Sequence, residues 1–283
     1  MMNKVAVVIG SNKGIGFAIV KSLAQTLENG IVYLTARNVE LGKNALAELT
    51  SQLPNAKSQI VFHQLDITDV KSIETLKNDL QQKHGGLDIL VNNAGFAFKQ
   101  NSTEPFAKQA EVSVAVNYTG TLNVCKALFP ILRSHARVVN VSSQAGMLRI
   151  VTSQQIQGRL QANDLTMSEL TEIMNKFVEA SKAGNHTNMG FPKSAYGMSK
   201  VGVTAMTRVL QREIDSDQSR TDIIVTACCP GYVSTDMSSH KGHLTPDQGA
   251  ETPCYLALAP ENWSGAKGRF YYQKKEMEWT AGS

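Results

Sequence analysis

Cysteine is scarce in this 283-residue chain: Cys125, Cys228, Cys229 and Cys254 are the full set, with no Cys-x-x-Cys spacing. That excludes a disulfide framework and paired-thiolate zinc sites, and it fits free thiols in a reducing compartment. Long apolar runs are also missing. Val5–Ile9 is among the longest, far short of the roughly 18 residues that a membrane-spanning helix needs. The 28 basic and 24 acidic residues leave a net charge of +4 without any long Lys/Arg block, so no phosphate-tracking stripe points to nucleic acid. The six histidines form no His-Glu-x-x-His, no Gly-x-Ser-x-Gly occurs, and no Gly-Lys-Ser/Thr follows the glycines. These gaps exclude the common zinc-protease, hydrolase-elbow and Walker A chemistries, and no metal is expected. Met1–Lys4 lack the charged, apolar and small-residue succession of a signal peptide, and Thr280–Ser283 carry no lipidation signal. A cytoplasmic, membrane-free protein is the expectation.

A composition of 42% apolar and 18% charged residues supports a sizeable packed core. Short β-branched runs alternate with longer amphipathic stretches. Val5–Ile9, Ile31–Thr35, Gln59–Leu65, Ile89–Val91, Arg137–Val141 and Ile223–Ala227 read as strands. Apolar positions at steps of three and four predict helices over 15–28, 38–53, 69–83, 105–132 and 195–217. Parallel neighbours need such crossovers, so the predicted class is α/β: a doubly wound parallel sheet of the Rossmann type. Without repeats or linkers, residues 1–283 read as one domain. Residues 144–194 break the rhythm. They are polar, hold a helical stretch near Ser168–Ala183, and read as an insertion.

Directly after the first strand comes Gly10-Ser11-Asn12-Lys13-Gly14-Ile15-Gly16, opening the first helix. A tight turn, close backbone approach to a pyrophosphate and a helix N-terminus facing an anion all call for glycine there. In the usual fingerprint an acidic residue ends the second strand and binds the adenine ribose. Here the strand ends Thr35-Ala36-Arg37-Asn38. A carboxylate would repel a 2′-phosphate, whereas Arg37 can grip it through its planar fork, with Lys13 adding a second positive charge. NADP(H) is favoured over NAD(H).

Further signals follow in order. Asp66 closes the third strand, Asn92-Asn93-Ala94-Gly95 the fourth, Asn117 sits mid-helix, and Ser142-Ser143 close the fifth ahead of Tyr196-Gly197-Met198-Ser199-Lys200. Reducing a carbonyl needs a hydride at carbon and a proton at oxygen, with the developing alkoxide stabilised meanwhile. A phenol with a pKa near ~10 needs a neighbouring positive charge to become a usable acid-base group. Lys200 lies four residues after Tyr196, one turn along the same helix face, and is expected to lower the phenol's pKa. Ser143, at the C-terminal edge of the sheet, can donate to the same carbonyl oxygen.

The ordered set resembles the short-chain dehydrogenase/reductase family over nearly the whole chain, and within it the carbonyl-reducing branch. The 52 residues between Ser143 and Tyr196 resemble the helical segment of that branch, which covers an oligomerisation face and implies a monomer. The resemblance implies that Asn117 holds a water linking Lys200 to solvent, and that Lys200 hydrogen-bonds the nicotinamide ribose. It places Asn92 and Gly95 against the cofactor, Asp66 near the adenine, and Val233 and Thr235 near the nicotinamide carboxamide, and it adds Ile67, Ala94, Pro230 and Gly231 to the cofactor set. Asn12 and Ile15 join Gly10, Lys13, Gly14, Gly16, Tyr196 and Lys200 in the cofactor set.

Two departures stand out. Ile9 occupies a position where the family commonly has Thr, removing a hydroxyl that orders the glycine loop. Tyr232 and Ser234 stand where close relatives have Trp and Arg. Phe96, Phe98, Met147 and Tyr232, with Ser143, are candidates to line an apolar substrate cleft, although each aromatic or Met is equally at home in a core. Cys228 and Cys229 read as core thiols, with Cys229 a candidate for modification by electrophiles because the branch has a cysteine near its pocket. The expected activity is NADPH-dependent reduction of ketones, aldehydes and quinones to alcohols. The alternatives are a dehydrogenase for a dedicated alcohol or steroid, and a non-catalytic NADPH-binding sensor or scaffold. The Ser143/Tyr196/Lys200 set argues against the last, since a pure binder needs no acidic phenol.

Overall fold

The structure, a computed structural model, describes residues 3–280. Met1, Met2 and residues 281–283, which belong to the stretches without leader or lipidation signals, lie outside the described residues. The six expected strands are β1 (Val5–Ile9), β2 (Ile31–Ala36), β3 (Gln59–Gln64), β4 (Leu87–Asn92), β5 (Leu132–Val141) and β6 (Ile224–Cys229). β1 and β6 are buried along their whole length, as strands covered by helices on both faces must be. The crossovers carry α1 (Gly14–Thr26), α2 (Val39–Gln52), α3 (Val70–His84), α4 (Phe106–Ser113) and α5 (Thr121–Leu128). The insertion holds α6 (Gln154–Gln161) and α7 (Met167–Lys182), and α8 (Ala195–Ser216) returns the chain to the sheet.

Strand order is β3-β2-β1-β4-β5-β6-β7-β8. All pairs are parallel except the last, where β7 (Phe270–Tyr272) and β8 (Lys275–Met277) form an antiparallel edge hairpin. The direction of winding reverses between β1 and β4. A crevice opens there at the C-terminal edge, where ligands of open α/β sheets bind. One face of the sheet packs α3, α5, α7 and α8 around Leu76, Tyr118, Phe177 and Met206. The other packs α1, α2 and α9 (Pro246–Ala257) around Ile19, Leu23, Leu49 and Ala250.

Four elements were not expected from periodicity: α6, α9, β7 and β8. β7 and β8 have three residues each, too short for any alternation to register. α9 starts on a clear capping box, Thr245 with Gln248, but contains Pro253, which reads locally as a helix breaker. The helix predicted over 105–132 is interrupted by a π-helical turn, Val114–Gly120, and ends in a 3-10 turn at Pro130, after which β5 begins. In the insertion, a Thr166–Glu169 capping box starts α7. Leu170, Met174 and Phe177 on α7 are buried, with the Met174 sulfur packed where α8 presents Gly202. The insertion therefore lies over α8 and α4 rather than standing off the domain.

Candidate active site

The glycine loop leaves β1 with Gly10 at φ +68° and Gly14 at φ +59°, left-handed values that a side chain would strain. Ile9 brings no hydroxyl to this loop, which is held by two others. The Thr35 hydroxyl accepts from Gly10 N–H at 3.0 Å and donates to Val8 O at 2.9 Å. The fully buried Ser11 hydroxyl donates to Val8 O at 2.8 Å and accepts from Thr35 N–H at 2.9 Å. The loop is thus stitched to the end of β2 by two hydroxyls whose bonds between loop and strand span 24 to 27 residues, and no local pattern singles them out. Asn93 adds a bond from its amide to Gly10 O at 2.8 Å.

The first turn of α1 has no side-chain cap, unlike α2, α3 and α8, which Asn38, Asp69 and Ser194 cap. Its N–H groups face the crevice beside Asn12 and Ile15, both partly buried. Lys13 and Arg37 are exposed, and Lys13 pairs with Asp236 at 2.6 Å. Asp66 sits at the end of β3. Burial pushes its carboxyl up, but two hydrogen bonds from Thr68 and the Arg37 charge pull it below the usual range. Ile67 is buried and packs against the backbone at Gly120.

Across the crevice, Ala94 lies against Gly10, and Gly95 sits between the Asn117 carbonyl oxygen and the Lys200 ammonium. Asn92 is 4% exposed and donates to Asn140 at 2.8 Å and to the Cys125 sulfur at 3.3 Å, so its side chain braces β4 on β5 and only its backbone is left for the crevice. On the loop after β6, Thr235 packs against Gly14 and Val233 against Gly249. Gly231 (φ +87°) donates its N–H to the Cys229 sulfur at 3.3 Å, next to partly buried Pro230.

Tyr196 and Lys200 lie one turn apart on α8, whose start is capped by Ser194 accepting from Gly197 N–H at 2.9 Å. Ser142 ties this helix to β5 through Lys200 O at 3.1 Å and the Thr204 hydroxyl at 2.8 Å. The Lys200 ammonium donates to Val141 O at 2.7 Å and stands 5.7 Å from the centre of the Tyr196 ring. Burial pushes the ammonium down to about 8. Burial also pushes the Tyr196 phenol up to about 12, with the Ser143 hydroxyl beside it pulling the other way. The direction is opposite to the expected depression, and desolvation is its largest cause.

Asn117 is fully buried in the π-helical turn, a distortion frequent at functional sites. It accepts from Phe96 N–H at 2.7 Å and donates to Phe96 O and to the Ser199 hydroxyl at 2.9 Å each. This fixes the chain after Gly95 against α8. Ser143 caps the Gln144–Gly146 turn, accepting from Ala145 N–H at 3.1 Å. Cys229 is buried, and burial raises its thiol despite hydrogen bonds from Gln144, Gly231 and Ser143. It stays protonated, the less reactive form.

Of the candidate substrate contacts, Phe98 stacks edge-on against Phe96 with centroids 4.8 Å apart, and Tyr232 is half exposed beside His243. Met147 is 5% exposed and belongs to the main core.

A family model described as short chain dehydrogenase matches residues 4–154 and 178–244, leaving out the middle of the insertion. The chain is 44% identical over 276 residues to "Carbonyl reductase [NADPH] 1" of Mus musculus, covering 97% of this chain and 98% of the relative. It is 43% identical over 278 residues to "Carbonyl reductase [NADPH] 3" of Rattus norvegicus, covering 98% and 99%. Among solved structures, salutaridine reductase from Papaver somniferum superposes with a TM-score of 0.83 at 32% identity, covering 95% of this chain and 99% of that one. Carried by a glycine loop, a Ser143/Tyr196/Lys200 cluster and full-length similarity, the conclusion is that this chain belongs to the short-chain dehydrogenase family.

Proposed function

We propose that the protein is an NADPH-dependent carbonyl reductase that converts small ketones, aldehydes and quinones to alcohols. The observation that carries the reading is the meeting of Ser143, Tyr196 and Lys200 at the sheet edge that also bears the glycine loop. The residues fit the cofactor: an uncapped helix N-terminus behind a glycine turn for the pyrophosphate, and exposed Arg37 where an acidic residue would select NAD. Arg37 would hold the 2′-phosphate, with Lys13 in reach once its pairing with Asp236 is shared. The relatives named for NADPH support the same choice.

When bound, NADPH supplies the hydride that reaches the carbonyl carbon. The chain does the rest. Ser143 donates to the substrate oxygen, and Tyr196 gives it a proton. A phenol at about 12 keeps its proton at neutral pH and surrenders it to a far more basic alkoxide. Lys200, at about 8, is mostly an ammonium at pH 7 and favours the phenolate left behind. Asn117 holds the Gly95–Phe96 backbone beside Lys200.

The insertion lies on the α4 and α8 faces, which supports a monomer. Residues 1–283 are taken as one domain. The buried free thiols of all four cysteines support a reducing, cytoplasmic setting, and no described helix is long and apolar enough to cross a membrane.

The test is NADPH oxidation with menadione and a panel of aldehydes and ketones, alongside NADP⁺ reduction with alcohols. Tyr196→Phe should lower reduction by several orders of magnitude and leave the NADPH dissociation constant unchanged. Near-native turnover in that variant ends the mechanism. Light scattering on a sizing column decides the oligomeric state.

A further inference from the structure

Ser143 follows β5, whereas Tyr196 and Lys200 ride on α8, so chemistry that uses all three needs the two elements held at fixed separation. The Gln144–Gly146 turn lies between them. Gly146 sits so close to α8 that a Cβ there would come within 2.6 Å of the Lys200 backbone carbon. Its N–H donates to Ser143 O at 2.9 Å. What holds the outer side of this turn is the segment around β8. The Trp279 indole N–H donates to Gly146 O at 2.8 Å, and Leu148 N–H donates to Trp279 O at 3.2 Å. The Gln144 amide meets the Met277 sulfur at 3.7 Å.

Trp279 is 5% exposed. Over its ring, 5.9 Å from the centre, lies the Arg208 guanidinium of α8. The same guanidinium donates to Leu160 O at 3.1 Å and Gln161 O at 2.9 Å in α6. One side chain thus touches the turn that carries Ser143 and the helix that carries Tyr196 and Lys200, and it meets the insertion through Arg208. Tryptophan suits this place because it combines a large apolar body with a donor and no acceptor, and a buried indole N–H needs a partner.

We infer that Trp279 is a positioning residue: its N–H fixes the Gln144–Gly146 turn and thereby the Ser143 hydroxyl relative to Tyr196. The inference rests on the proposed role of Ser143 toward the substrate oxygen. Phenylalanine at 279 keeps an aromatic ring under Arg208 but removes the donor together with two ring carbons, so the double variant and the hydrogen exchange below are needed to separate positioning from filling.

The experiment compares the wild type with Trp279→Phe, Ser143→Ala and the double variant, using menadione at saturating NADPH, with NADPH binding followed by calorimetry. Trp279→Phe is expected to lower kcat about tenfold with NADPH affinity unchanged. In the Ser143→Ala background it should add nothing further, because the two residues act as a unit. Unchanged kcat in Trp279→Phe overturns the inference, and so do losses that multiply in full. Native turnover in Ser143→Ala alone defeats the role of Ser143 and the inference with it. Hydrogen exchange on the wild-type protein needs no variant to fold. Peptides spanning 144–150 and 276–280 should lose protection together as urea rises, and separate opening also overturns the inference.

Discussion

Replacing Lys200 with Met should abolish reduction while relieving the fold of a buried charge. Burial pushes this ammonium from its ordinary 10.5 to about 8. At about 1.4 kcal/mol per pKa unit, the folded protein at pH 7 carries a charge that costs about 3 kcal/mol relative to the unfolded chain. The sign follows from proton counts. Between pH 8 and 10.5 the unfolded chain binds more protons than the folded one, so the cost fades as pH rises and falls below about 1 kcal/mol at pH 10. Methionine removes the charge but leaves Val141 O without its 2.7 Å donor, a loss of about 1–3 kcal/mol that does not vary with pH. At pH 7 the two effects nearly cancel or the variant wins. At pH 10 only the lost hydrogen bond remains, and the native protein is the more stable. Urea unfolding of both proteins at pH 7 and pH 10 reads the difference, and other lysines and tyrosines titrate alike in both and drop out. The native protein should gain about 2–3 kcal/mol on Lys200→Met between the two pH values. A difference that does not move with pH refutes the picture of Lys200 as a charge held against its solvation.

Arg37→Asp should weaken NADPH binding by about 10- to 100-fold, the worth of one charge-assisted contact turned into a repulsion, and leave NADH nearly untouched. Calorimetry with both dinucleotides checks this. Thr35→Val takes the acceptor from Gly10 N–H. It should cost about 1–2 kcal/mol in urea unfolding and raise the KM for NADPH more than it lowers kcat. Burial alone would raise the Asp222 carboxyl, but hydrogen bonds from His135, Arg137 and Asn262 N–H bring it down to about 2. The stability it confers is present above pH 3.8 and lost as pH falls through 2. Asp222→Asn should therefore cost about 2 kcal/mol at neutral pH and flatten the acid limb of the stability curve.

The strands and crossovers were legible because burial on both faces writes itself into sequence as β-branched runs such as Val5–Ile9, and amphipathic helices write themselves as steps of three and four. β7 and β8 were not, since three residues carry no period. The insertion was legible as a break in rhythm, but its seat on α8 depends on Met174 meeting Gly202, a contact that neither residue announces. Ser143, Tyr196 and Lys200 were legible as a spaced set. The hydroxyls that hold the glycine loop were not, because Ser11 and Thr35 act on each other from the ends of two strands.

The electrostatics of the catalytic pair show where spacing stops being informative. Four residues on a helix place Lys200 one turn from Tyr196, and from that alone an attraction that lowers the phenol's pKa follows. The same helix is buried over most of its length, and burial acts on both groups with opposite consequences, up to about 12 for the phenol and down to about 8 for the ammonium. Each is moved toward its neutral form. In the proposed mechanism, a proton passing from Tyr196 to a substrate alkoxide would leave a phenolate next to the Lys200 ammonium, so the pair would be poorly solvated before the transfer and best matched after it. Stabilisation concentrated late in the reaction raises the rate, where equal attraction throughout would only tighten binding. The sequence supplies the two groups and their distance along the helix. The burial that shifts them is not written in that spacing: Lys200 is held on Val141 O at the end of β5, with the Gln144–Gly146 turn packed against its backbone.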